Sequence, residues 1–293
     1  MSIKKSLGEK IFDTANALIL ILLSLVCLYP MWHVIMASFS DGRMLMAHSG
    51  VLLKPLGFST AAFEMVLKNS TIIKGYGITI FVVLSGLAVN LFLSSLAAYV
   101  MSRKRLRISN IVTKIAVFTM FFSGGMVPLY LTVKNLGLLN NLLALILPQA
   151  IVTYNVIILR TGFEAVPDSL VESARIDGAN DFTILFTIIV PLAKATVAVI
   201  ALYYGVSHWN SWFNAMLYIQ DREMYPLQLI LREILIQNKA DDMASGMGAQ
   251  DKAFVAENIK YATIVVATLP ILCVYPFIQK YFVKGAMIGA VKG

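Results

Sequence analysis

The chain has 293 residues, of which 58% are hydrophobic and 14% charged, with a mean hydropathy of +0.77. A soluble domain carries about 45–50% apolar and about 25% charged residues, so this composition excludes a water-soluble globule and requires contact with lipid. The net charge of +8 does not point to nucleic acid, because the basic residues flank the apolar runs on one side only.

Lys4, Lys5 and Lys10 precede an apolar stretch from Thr14 to Ser38. That stretch is longer than the roughly 7–15 residues of a signal-peptide core and contains no small-x-small cleavage site, so it reads as a retained first span. A helix crosses about 30 Å of hydrocarbon with about 20 apolar residues. Six segments meet that requirement: Ala15–Ser38, Ile78–Val100, Ile111–Thr132, Asn141–Leu159, Leu192–Phe213 and Tyr261–Gln279. Each is expected to be helical, since lipid offers the backbone no other partner. Pro128 after Gly124–Gly125, Pro148, Pro191 and Pro270 punctuate the spans. They are kinks that either line a pathway or serve packing. Cys27 and Cys273 lie inside apolar runs and are expected as small buried hydrophobes, not as a disulfide or a metal pair.

Orientation follows from Lys and Arg in the short loops. Arg103, Lys104, Arg105, Arg107 and Lys114 lie between spans two and three, and Lys280, Lys284 and Lys292 follow span six. With six crossings these fall on the same side as the N-terminal lysines, which predicts that both termini are cytoplasmic. The opposite side holds Asp41–Lys74, a turn near Asn135, and Asn214–Lys260 with Asp221, Glu223, Glu233, Asp241, Asp242, Asp251 and Glu257.

The central parts of the six spans carry no Asp, Glu, Lys or Arg, which argues against a proton relay. Sodium coupling through carbonyls and hydroxyls is less strongly opposed. His33, His48 and His208 have no partner at ligand spacing, and no hydrolase or phosphate-binding motif occurs. Active transport would therefore draw its energy from another polypeptide.

The segment Arg160 to Pro191 holds the strongest signal. Pro167 suits a first helical turn, and Ser169 with Glu172 fits a capping box. Gly178 stops the first helix at a position that tolerates positive φ, and Asn180 or Asp181 caps a second. Leu170, Val171, Ala174 and Ile176 form a narrow apolar strip beside Glu172, Arg175 and Asp177. Such a helix lies in the headgroups or docks into a partner. A single Arg on its polar face favours docking.

Glu172-Ser173-Ala174, three residues, Gly178, nine residues, then Ile188-x-Val190-Pro191 resembles the EAA loop of binding-protein-dependent ABC importer permeases. The spacing matches throughout, with Ser173 in place of Ala and Val190 in place of Leu. Ile176-Asp177-Gly178-Ala179 is similar to the carbohydrate branch, the relatives of the smaller maltose-transporter permease. Asn90–Arg107, Phe122–Pro128 and the tail Phe282–Gly293 look like the LplC-type permeases within that branch. Those serve complex oligosaccharides.

The resemblance implies an all-α transmembrane fold. It would be a six-helix type I importer permease of one domain over residues 1–293, in a bacterial cytoplasmic (inner) membrane, with cytoplasmic coupling helices. It implies no enzymatic activity and no cofactor in this chain, ATP–Mg being held by partner subunits. The implied partners are a second, larger permease, two copies of a cytoplasmic ATPase, an extracytoplasmic binding protein, an oligosaccharide and membrane lipid. Glu172, Ser173, Ala174, Asp177, Gly178 and Pro191 would couple to the ATPase, although Glu172 would serve equally as a helix cap. The closing Gly289–Gly293 either reaches the ATPase interface or frays. The outer stretch Asp241–Lys252 either receives the binding protein or is a linker.

Sugars offer apolar faces to aromatic rings and hydroxyls to amides. Trp209, Asn210, Trp212 and Asn214 suit that chemistry, as do Asn90, Tyr154 and Asn155. Interface belts and interhelical polar contacts account for the same residues. An ion-coupled secondary sugar transporter is the alternative function.

Overall fold

The computed structural model describes residues 6–103, 107–236 and 249–290. Among these, every regular element is helical. In chain order they are α1 (Leu7–Ser38), α2 (Gly42–Ala47), α3 (Ala61–Lys68), α4 (Ser70–Ser102), α5 (Arg107–Phe121) and α6 (Met126–Asn135). Two 3-10 turns, Leu142–Leu145 and Leu147–Gln149, lead to α7 (Thr153–Glu164) and α8 (Asp168–Ile176). Then come α9 (Asp181–Leu192), α10 (Lys194–Trp209), α11 (Trp212–Tyr218), α12 (Leu227–Ile236) and α13 (Ala249–Ala290).

Three helices are long and apolar enough to cross a bilayer: α1, α4 and the Phe254–Val274 part of α13. Three more candidates are bent pairs. Ile108–Phe121 meets α6 at 114°, Leu142–Gln149 meets α7 at 55°, and α9 meets α10 at 89°. Six crossings result if each pair is one span. Spans three and four, drawn from sequence as unbroken helices, are thus interrupted. In span three the cause is local: Gly125 sits at φ +87°, in the left-handed region, which glycine enters at little cost. In span four the turn before the break contains Pro148, expected from sequence as a kink, and side chains distant in sequence fasten the break. Lys114 and Lys194 fall near the starts of the segments drawn for spans three and five. Cys27 and Cys273 are exposed rather than buried, as surface facing lipid allows.

Packing divides the chain into two compact units, Met1–Asn69 with Glu233–Thr268 and Ser70–Arg232 with Leu269–Gly293. In the first, the most apolar window of α1 has no buried residue, so its side chains meet surroundings outside the chain. From Tyr29 onward the helix engages the following loop. Tyr29 Oη accepts from the Leu52 N–H at 3.0 Å, and Trp32 Nε1 donates to the Leu53 carbonyl at 3.1 Å. Asp41 caps α2. A Cβ on Gly42 would come within 2.2 Å of the Phe254 carbonyl oxygen, so only glycine allows that approach.

The second unit is built around α4, which packs on α7 and α10. Gly86 of α4 lies against the His208 ring, where a Cβ would meet Nε2 at 2.5 Å. Tyr99, Met101, Val156, Leu159, Phe163, Ile184, Leu185, Ile200 and Tyr204 fill its largest apolar cluster.

Candidate functional site: the loop 160–191 and a neutral cleft

The loop contains two helices joined at a left-handed corner. α8 begins at Asp168 with Pro167 as its N-cap residue and no side-chain cap. The capping box expected from Ser169 and Glu172 does not form, because the helix starts one residue before Ser169 and Glu172 lies too far along it. Pro167 accordingly stands just outside the first turn rather than within it. At the other end the expected stop is present. Gly178 has φ +85° with nothing near its Cβ position, so backbone conformation, not space, requires glycine there. Its N–H donates to the Arg175 carbonyl, and the Ala179 N–H reaches back to Ala174, the pattern of a glycine-closed helix end. Asn180 then caps α9 through the Thr183 N–H at 2.8 Å.

α8 divides into two faces. Val171 is 4% exposed and Ala174 packs beside it against the apolar cluster of the second unit. Leu170, Glu172, Ser173, Ile176 and Asp177 are exposed, Ile176 at 86%. The strip expected from sequence is therefore split, with Val171 and Ala174 inward and Leu170 and Ile176 outward. Pro191 follows a run of widened π turns, Ile184–Ile189, in which the Val190 N–H reaches Leu185. The 89° bend comes directly after it.

A polar clasp holds the loop to the end of α4, and it was not anticipated from the sequence. Tyr99 Oη donates to Asp181 Oδ1 at 2.6 Å, and Arg175 Nη2 donates to the same oxygen at 3.0 Å. The Arg103 guanidinium lies 4.8 Å from the centre of the Tyr99 ring, and its Nη1 is 3.7 Å from Asp168 Oδ1. The Tyr99 hydroxyl first, and Arg175 second, hold the Asp181 carboxyl below the usual aspartate range. Asp181 itself is the first residue of α9, in the loop ahead of the segment Leu192–Phe213 drawn for span five. These groups line a recess of about 350 Å³ together with Glu164 and Glu172.

Deeper in the same unit, the break in span four is fastened by side chains from two other helices. Asn90 Nδ2 donates to the carbonyls of Gln149 (2.6 Å) and Ala150 (3.0 Å), which the break frees. His208 Nε2 donates to Asn90 Oδ1 at 2.7 Å. The Val152 N–H donates to Tyr204 Oη at 3.0 Å, and Ser94 shares a hydrogen bond with that hydroxyl at 2.7 Å. Beside this cluster a cleft of about 1120 Å³ is lined by amides, hydroxyls, aromatic rings and aliphatic groups, with no charged side chain among its described residues. Of the sequence candidates, Asn155, Trp209, Asn210 and Asn214 line it. Asn90 is fully buried behind it, and Tyr154 and Trp212 are exposed and do not line it. Trp209 Nε1 and Ser211 Oγ are buried without a hydrogen-bond partner.

No protein-family profile matches the chain. It is 43% identical over 290 residues to the polygalacturonan/rhamnogalacturonan transport system permease protein YtcP of Bacillus subtilis (strain 168), covering 97% of this chain and 99% of that one. It is 39% identical to Protein LplC of the same organism, over 97% of this chain and 96% of the other. It also superposes with a TM-score of 0.87 and 32% identity on a chain from the crystal structure of a bacterial ABC transporter involved in the import of the acidic polysaccharide alginate. That match covers 96% of this chain and the whole of the other. The chain belongs to the permease subunits of ABC importers. Such subunits are transport components of inner-membrane import systems that also comprise a second permease, an ATPase and a binding protein.

Proposed function

We propose that this chain forms one half of the path by which an oligosaccharide, delivered by an extracytoplasmic binding protein, crosses the cytoplasmic membrane. The whole chain would act as one permease domain with both termini cytoplasmic. Two ATPase copies hold and hydrolyse ATP–Mg, and this chain binds no cofactor. Its partner permease is a different, larger chain. The observation that carries the reading is the two-faced α8, pinned inward by Val171 and Ala174 and presenting Leu170, Glu172, Ser173, Ile176 and Asp177 outward. Gly178 and Pro191 shape the corner and the bend at either end of α9. Closure of the ATPase pair carries α8, and the rigid helices convert that movement into opening on the other side. Of the tail Gly289–Gly293 and the outer stretch Asp241–Lys252, residues 291–293 and 241–248 lie outside the described residues.

The uncharged cleft suits a sugar. Asn155, Asn210 and Asn214 supply donors and acceptors, and the Trp209 and Phe213 rings supply apolar faces. The same lack of charge disfavours a proton-coupled carrier.

The test is purification of the assembled complex and measurement of ATP hydrolysis and saccharide uptake in liposomes. Uptake without ATP, or no association with an ATPase, rejects the proposal. Glu172→Gln is expected to lower substrate-stimulated hydrolysis about tenfold while leaving the chain folded, because removing one charge from an interfacial pair costs about 1.4 kcal/mol or more. Unchanged hydrolysis removes Glu172 from the contact.

A further inference from the structure

We infer that Asp181, with Tyr99 and Arg175, is the joint through which movement of the loop is passed to α4, and that these residues set the coupling between ATP hydrolysis and transport. The inference rests on the proposed grip of an ATPase on α8, but it concerns contacts made within this chain, between the buried Tyr99 and the exposed Arg175 and Asp181.

Two consecutive helices of the loop and one distant in sequence meet at one carboxylate oxygen. Tyr99 comes from the last turn of α4, Arg175 from the last turn of α8, and Asp181 from the first turn of α9. Asp181 is well placed as an acceptor, because the N-terminus of a helix favours a negative charge and both its donors make charge-assisted bonds. Tyr99 is 7% exposed, so its ring is held by packing while its hydroxyl reaches out to the loop. Arg103, whose side chain is 11% exposed, closes the opposite side by lying over that ring and facing Asp168.

The apolar contacts under α8, through Val171, Ile184 and Leu185, resist compression but have no direction. A hydrogen bond of 2.6 Å has one. When α8 is displaced, Arg175 and Asp181 move with it, and the Tyr99 hydroxyl is the polar tie that draws the end of α4 along. α4 also carries Asn90 and Ser94, which hold the break in span four, so displacement at Tyr99 reaches the neighbourhood of the cleft through one continuous helix. Without the tie, α8 slides over the apolar contacts and hydrolysis proceeds with less transport.

The experiment uses the full importer in liposomes and records uptake and hydrolysis on the same preparation for wild type, Tyr99→Phe, Asp181→Asn and the double variant. Tyr99→Phe keeps the ring and its packing, so it reports on the tie even if Asp181→Asn assembles poorly. The expected result is a fall of about tenfold in saccharide imported per ATP, with hydrolysis within about twofold of wild type, and no further fall in the double variant. An unchanged ratio in Tyr99→Phe overturns the inference, as does a parallel loss of both activities. An inactive wild-type complex would instead reject the proposed function, before any variant is compared.

Discussion

Two polar clusters sit on the same helix and use opposite chemistry. Near the middle of α4, Asn90 and Ser94 meet His208, Tyr204 and free carbonyls through amides and hydroxyls. At its end, Tyr99 and Arg103 meet Asp181, Arg175 and Asp168 through full charges. Inside hydrocarbon a charge costs several kcal/mol, whereas a neutral group that finds a partner costs little. The inner cluster therefore fastens and the outer one transmits. The inner groups have no water to fall back on, while the outer ones exchange partners with solvent as the loop moves.

Substitutions that separate the two clusters have effects of different size. Asn90→Leu is the most severe, because it strands the carbonyls of Gln149 and Ala150 and removes the acceptor for His208. At about 1–3 kcal/mol for each buried group left unsatisfied, a loss of about 3 kcal/mol is expected, read as a lowered midpoint of thermal unfolding in detergent and a lowered yield of complex. An unchanged midpoint would mean that the break in span four holds itself. Tyr204→Phe removes a single hydroxyl that serves Val152 and Ser94, and about 1–2 kcal/mol is expected in the same assay. A larger loss there than for Asn90→Leu would reverse the ranking.

The smallest effect is expected from pH. A carboxyl whose folded value is depressed contributes stability above its unfolded value and loses it as pH falls through the folded one. Asp181 is held low by Tyr99 and Arg175, so the clasp stays intact from pH 6 to 8. Saccharide imported per ATP should be flat over that window. A midpoint near neutrality would assign the titration to some other group.

Much of this was legible in the sequence where the cause is local. Gly178 and Asn180 act at the corner as their residue types dictate, and the apolar runs mark where the long helices lie. The spacing from Glu172 to Pro191 carried the family. The capping box failed because Pro167 takes the N-cap position and the helix begins at Asp168, which places Ser169 already inside its first turn. Pro148 marks the break in span four, but the side chains that fasten it and the clasp were not readable, because Asn90 finds His208 118 positions away and Tyr99 finds Asp181 82 positions away. Arg103 carried a signal as a loop charge, but nothing nearby in sequence names the ring it covers.

The widened turns at Ile184–Ile189 set the angular phase of everything beyond them. Each residue of an ordinary helix advances the chain by about 100°, and a π turn amounts to one residue inserted without lengthening the helix by a full turn. Removing a single residue from this stretch would turn everything beyond it by that angle about the axis of α9, and because α10 leaves that axis at 89°, α10 would be swung aside as a whole. Tyr204 and His208 would then swing away from Ser94 and Asn90. The dial that aims α10 at α4 is thus set within the loop, one bend away from the helix it aims.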